Sequence, residues 1–255
     1  MNVAQIMTRK LTYFIALLVI GGGVLAASIF VPSQNMGSAN AEPEIIVVSE
    51  EKIIVASEED EADFLNYDMV MGDQNAPIEI IEYAALSCSH CANFHADVLP
   101  ALKEKYIDTG KVKLVFRNFI FENPFDVFAA SLTRCTTEEN FFPTVKAYFD
   151  SQNIWRNHQE LKRIFAADGR EAAMKFARDE VAKVGEKSGI SLDDAEKCYD
   201  NEGVINYLLQ VRQEAVEKYQ VNSTPTVIVN GKKIGGHNFE IIERAIAEAN
   251  KAGGY

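Results

Sequence analysis

Positive charge is scarce in this chain. It holds 25 lysines and arginines against 37 acids, a formal net charge of −12, and the cations are scattered rather than clustered. A chain without a basic patch has little to offer a phosphate backbone, which argues against nucleic acid as a partner. Internal repeats and low-complexity tracts are also missing, so neither a solenoid nor a biased, unstructured scaffold fits. Cysteine is rare, with four residues, and tryptophan rarer, with Trp155 alone. No second C-x-x-C and no H-x-x-x-H pair is present to complete a structural zinc site. Long uncharged apolar runs are limited to one.

That run comes early. Leu11 to Phe30 carries no charge and follows Arg9 and Lys10, the layout of an export signal or a single membrane anchor. Ala39-Asn40-Ala41 and Leu25-Ala26-Ala27 are small-residue cleavage patterns, while the run approaches the ~20 residues that span a bilayer, so cleavage and anchoring both stand. Either way residues 1–41 are read as a targeting segment and the remaining domain as periplasmic. A buried core helix fits poorly, because no polar residues alternate with the apolar ones.

Export changes the meaning of the cysteines, since an oxidising compartment permits disulfides and four is an even count. Cys135 and Cys198 are expected to form a structural disulfide. Closing their 63-residue loop is worth roughly 4 kcal/mol in the chain-entropy model. The alternative is a pair of buried free thiols, because Cys135 shares an apolar helical face with Phe128 and Leu132.

The remaining two cysteines stand in Cys88-Ser89-His90-Cys91. Two thiols at this spacing can close a small disulfide and reopen it by exchange. The apolar strand Ile78 to Tyr83 precedes them, and an amphipathic helix runs from them to about Tyr106. At a helix start, unpaired N–H groups and the positive end of the dipole favour an anion, so Cys88 is expected to be the more acidic thiol. His90 adds a positive charge beside it when protonated.

Residues 42–66 mix apolar patches with the acidic run Glu58 to Glu61 and read as a linker or edge segment. After the motif helix, Val112, Leu114 and Phe116 alternate along a second strand, giving a right-handed βαβ unit. From 123 to 201 the pattern is helical, with breaks expected at Pro143 and Gly169. Val204, Leu208, Val211 and Ala215 then share one helical face. Ser223-Thr224-Pro225 leads into the strand Thr226 to Val229, the turn Asn230-Gly231 and a last helix containing Ile242 and Ile246.

This order of parts resembles the DsbA-like thiol:disulfide oxidoreductases of the thioredoxin superfamily. The resemblance covers about Asp68 to Ala252. Its more specific marks are Glu82-Tyr83, the run Cys88 to His95, Val115-Phe116-Arg117-Asn118-Phe119 and Ser223-Thr224-Pro225-Thr226. It implies an α/β thioredoxin fold with an inserted all-helical domain: 67–122 as its first part, 123–201 as the insertion and 202–255 as its second part.

The resemblance also implies roles. Cys88 is the exposed nucleophile and Cys91 the shielded partner in a redox-active disulfide. Pro225 is a cis proline facing them, preceded by Thr224, a residue also found in the isomerase branch. Glu82 shares strand parity with Ile78 and Ile80 and is the acid that moves protons to and from Cys91. Ser89 stands where many oxidases of this family have proline, whereas His90 is kept. Substrates are reduced, unfolded exported proteins, and the electron acceptor is a membrane thiol oxidase linked to quinone. No cofactor and no metal is implied. A monomer is expected, because residues 42–66 are too few for the dimerisation domain of the isomerases. Two other readings are a disulfide isomerase or reductase of the same fold, and a module binding Cu(I) or Zn(II) through Cys88, His90, Cys91 and His95. His95, His158 and His237 otherwise read as surface or packing residues, and Glu79 as a surface charge.

Overall fold

The computed structural model describes residues 64–253. The targeting segment at 1–41 and nearly all of the 42–66 linker lie outside them. Among the described residues no helix is long and apolar enough to cross a membrane.

Five strands form one sheet in the order β1-β3-β2-β4-β5. Strands β2 (Ile78–Ala84) and β3 (Val112–Asn118) run parallel at its centre, paired from Ile78↔Val112 to Ala84↔Asn118. β4 (Thr226–Val229) lies antiparallel to β2, and the short β5 (Lys232–Lys233) closes that edge. At the other edge β1 (Met69–Met71) pairs antiparallel with β3. This strand was not expected from the sequence, because three residues are too few to show an alternating pattern.

Both faces of the sheet are covered, which is why β2 reads as a nearly continuous apolar run. On one face Ile78, Ile80, Leu114, Val227 and Val229 pack against Phe94, Leu99 and Leu102 of the motif helix and Ile242 and Ile246 of the last helix. On the other, Ile81, Tyr83, Val115 and Ile228 meet Val211 and Ala215.

The motif helix is not uniform. It begins as α1 (Ser89–Asn93), widens into a π-helical turn at Phe94–Val98, continues as α2 (Leu99–Leu102) and widens again at Lys103–Ile107. Pro100 has no N–H to give the carbonyl four residues back, so the regular ladder is interrupted at that point.

Between β3 and the following long helix lie α3 (Pro124–Arg134), α4 (Glu138–Asp150), α5 (Gln152–Trp155), α6 (His158–Lys187) and α7 (Leu192–Asp200). Gly169 kinks α6 with φ 84°, a conformation open to glycine at little cost. Pro143, in contrast, does not break α4. One lost hydrogen bond is outweighed there by burial of Phe141, Val145, Tyr148 and Phe149. Cys135, at the end of α3, is disulfide-bonded to Cys198 of α7.

These helices share a core with the sheet. Phe116 and Ala84 belong to the same buried cluster as Phe125, Leu132, Trp155 and Val181. Fully buried Arg134 reinforces the junction by donating to Asn118 Oδ1 of β3 at 2.7 Å and to Tyr67 O at 2.8 Å. Its guanidinium lies 4.8 Å from the Phe141 ring and 5.1 Å from the Tyr207 ring, so its charge is set against aromatic faces and, among the described residues, against no carboxylate. The chain returns through α8 (Glu202–Tyr219), which buries the expected stripe Val204, Leu208, Val211 and Ala215, and ends with α9 (Phe239–Gly253).

Replacing Cys135 and Cys198 together by alanine is expected to lower stability in urea unfolding by about 4 kcal/mol, the unfolded-chain entropy released by opening the loop. A loss below about 1 kcal/mol would show that loop closure is not what the bond contributes.

Candidate active site

Strand β2 delivers the motif. A tight turn follows Ala84, with the Cys88 N–H donating to Ala85 O at 3.0 Å, and Cys88 then occupies the N-cap of α1 in an extended conformation. Its side chain makes no cap hydrogen bond, and its sulfur lies at the helix start, where the N–H groups of His90 and Cys91 favour an anion. The two thiols have opposite surroundings: Cys88 is half-buried and Cys91 fully buried.

Those surroundings set their acidities apart. The Cys88 thiol is lowered to about 5, first by a hydrogen bond from the Cys91 thiol, against the opposing effect of burial. The Thr224 hydroxyl, buried with no hydrogen-bond partner, also favours the thiolate, as do the backbone N–H groups of Cys91 and His90. The contact from neutral Cys88 Sγ to Thr224 O, at 3.3 Å, works the other way. Cys91 moves well above the usual thiol range, first through burial, then through its bond to Cys88 and the charge of Glu82.

His90 contributes through its backbone N–H, while its ring stands exposed with its centroid 6.3 Å from that of His237. The Thr224–Pro225 peptide bond is cis. It sits immediately before β4, the strand paired with β2, and so beside the motif.

Glu82 is fully buried beneath the motif on β2. Its Oε2 lies 2.9 Å from His95 Nε2, and its Oε1 has no hydrogen-bond partner. The sequence reading of His95 as a surface or packing residue is therefore incomplete. Its ring does pack against Phe149, centroids 4.4 Å apart, but its nitrogen serves the acid. His158 packs edge-on against Phe125. Among the described residues no group of three or more His, Cys, Asp or Glu side chains is placed to hold a metal ion.

The sequence reading missed a second set of residues, the side chains by which the helical segment grips the turn before Cys88. Gln152 Nε2 donates to Leu86 O at 2.7 Å and to Cys88 O at 3.0 Å. The Arg156 guanidinium donates to Ser87 O, and Asn123 Nδ2 to Ser87 Oγ at 3.2 Å. The Ser87 N–H donates to Asp126 Oδ1 at 2.9 Å. Asp126 is 1% exposed, and burial pushes its carboxyl up to about 6, against the hydrogen bonds from Ser87 that lower it. Only Asn123, ahead of Pro124 as a helix N-cap, leaves a local trace in the sequence.

A model of the thioredoxin family matches residues 65–248. A Rickettsia conorii protein carrying a protein-disulfide oxidoreductase name is 30% identical over 183 residues, 71% of this chain and 60% of the relative. Disulfide bond formation protein D of Bacillus subtilis is 25% identical over 167 residues, 65% of this chain and 68% of the relative. The chain thus spans about three fifths of the length of its Rickettsia relative. Among solved structures, Wolbachia pipientis alpha-DsbA1 superposes with a TM-score of 0.60 at 28% identity, covering 73% of this chain and 92% of that one. A protein-disulfide isomerase from Novosphingobium aromaticivorans, with a TM-score of 0.63 at 21% identity, covers 72% and 97% and shares the fold.

The raised carboxyl of Asp126 gives a pH signature. Between its ordinary value of 3.8 and about 6 the unfolded acid is ionised while the folded one keeps its proton. In the disulfide form, where Cys88 does not titrate, the Asp126 contribution to stability therefore falls as pH rises through that window, by about 3 kcal/mol, and is level above it. Asp126→Asn keeps an acceptor for the Ser87 N–H and is expected to remove this slope in urea unfolding measured from pH 4 to 7. An unchanged slope would refute the assignment.

Proposed function

This chain belongs to the thioredoxin family and has the DsbA-like form of it, and on that premise we propose that it is an exported thiol:disulfide oxidoreductase that introduces disulfides into secreted or periplasmic proteins. The observation that carries the reading is the split between the two sulfurs of Cys88-Ser89-His90-Cys91. One is half-exposed and favoured as thiolate, with a pKa of about 5, and the other is buried and held as thiol. Stabilising the reduced form in this way makes the disulfide form an oxidant. The uncharged run Leu11 to Phe30 behind Arg9 and Lys10 supports export.

The geometry supports the following reaction. A client thiolate attacks Cys88 Sγ of the Cys88–Cys91 disulfide, forming a mixed disulfide and expelling Cys91 as a thiolate. Cys91 lies in a dry site and takes a proton, for which Glu82 is the acid beneath it. A second client thiolate then attacks the client sulfur, and Cys88 leaves as the stabilised thiolate. The client loses two electrons and two protons; the enzyme keeps both electrons and one proton, on Cys91, and the other proton goes to solvent. Thr224 and Pro225 flank Cys88 and leave backbone acceptors beside it for an extended client. A membrane thiol oxidase that reoxidises the pair completes the cycle, and the protein acts as a monomer.

The second reading, an isomerase of the same fold, is favoured by Thr224 before the cis proline. Poise separates the two. Equilibration with a glutathione buffer is expected to give a strongly oxidising couple, whereas an intermediate value would assign the isomerase role.

Cys88→Ser is expected to abolish oxidation of a reduced dithiol peptide, and Cys91→Ser, given the disulfide-bonded form of the same peptide as oxidant, to accumulate a peptide-linked species at Cys88, both read by mass spectrometry after acid quench. Wild-type oxidation by Cys88→Ser would end the proposal.

A further inference from the structure

Among the described residues the buried acid beneath Cys91 has a single hydrogen-bonding partner, and that contact leads outward. Glu82 is fully buried, so a proton it takes from Cys91 has no direct way to water. His95 Nε2 lies 2.9 Å from Glu82 Oε2, and the histidine side chain is 8% exposed where Glu82 is 0%. Three rings fix the imidazole: Phe149 at 4.4 Å, Phe116 at 5.8 Å and Phe94 at 5.8 Å between centroids. The π-helical turn that begins at Phe94 carries His95, which meets the sheet at Glu82 of β2 and Phe116 of β3. Glu82 Oε1, buried and unpartnered, is left as the oxygen free to take the thiol proton.

We propose that His95 is the outward half of a two-residue proton relay, Cys91 to Glu82 to His95 to solvent, and that it acts on exchange through Glu82. The inference rests on the thiol-exchange reading above and adds a positioning residue to it. The titratable groups that bear on the pair are Cys91 and, through it, Cys88. The neighbours contributed by β3, β4 and α4, namely Phe116, Val227 and Phe149, carry no charge.

The step it serves is resolution of a mixed disulfide at Cys88. The Cys91 proton passes to the Glu82 carboxylate. The Cys91 thiolate attacks Cys88 Sγ, forming the Cys88–Cys91 bond while the bond to the partner sulfur breaks and that sulfur leaves as a thiolate. The partner, a disulfide compound, is reduced and the cysteine pair oxidised. Glu82 returns its proton through His95. In the reverse direction the same path delivers a proton to departing Cys91.

Reduced full-length protein, His95→Phe and His95→Gln are mixed with oxidised glutathione from pH 5 to 9, acid-quenched, and the glutathione adduct at Cys88 is quantified by mass. Glutamine keeps a donor for Glu82 Oε2 but cannot carry a proton onward. Both variants are expected to resolve the adduct about tenfold more slowly than wild type, less than the roughly hundredfold or more of a group that transfers the proton directly, because Glu82 is retained, and with a steeper dependence on pH. Wild-type rate and pH profile in His95→Gln would overturn the relay, since holding Glu82 in place would then suffice, and this variant decides the question even should His95→Phe not fold. Wild-type protein that forms neither an adduct at Cys88 nor the Cys88–Cys91 disulfide would overturn the exchange reading itself, a failure distinct from that of the relay.

Discussion

The hydrogen bond from the Cys91 thiol to the Cys88 sulfur is the interaction on which the rest of the site depends. It makes one sulfur an anion and the other a donor, and it is the largest influence lowering Cys88 to about 5. It works because Cys91 is buried: desolvation keeps the inner sulfur protonated and available to donate. The helix start adds N–H groups to the outer sulfur, but those alone would act on any residue at an N-cap. What distinguishes this motif is a second thiol one helical turn inside, over a buried carboxylate that opposes a second negative charge.

The remainder of the fold holds that asymmetry in place. The sheet supplies Glu82 from β2 and the Thr224 hydroxyl from the approach to β4, two elements adjacent through β2–β4 pairing. The helical segment supplies Gln152, Arg156, Asn123 and Asp126, which bind the backbone and side chain of the turn before Cys88. Because the helices share one buried cluster with Phe116 and Ala84 of the sheet, the turn is braced from both sides. Asp126 is also an electrostatic cost to the thiolate: a buried acid near Cys88 opposes its charge whenever both are ionised.

Much of this was legible in the sequence where the signal is local. The C-x-x-C at a helix start, the stripe Val204, Leu208, Val211 and Ala215, and the inward parity of Glu82 each follow from spacing within one element. His95 was partly legible: four residues beyond Cys91, it stands on the same side of the helix as an inward-facing acid, yet the intervening π turn and the strand-to-helix crossing hide the pairing. Gln152, Arg156 and Asp126 were not legible, because their partners are backbone groups 39 to 69 residues away. Pro143 misled because a local rule about helix breaking was overruled by burial on either side of it.

Cys88 as a stabilised thiolate is read from the rate of its alkylation by iodoacetamide against pH, in reduced protein where buried Cys91 reacts slowly. A titration centred at about pH 5 is expected, with the rate level through neutral pH. A rate still rising from pH 7 toward 9, as for an ordinary thiol with a pKa of about 8.5, would contradict it.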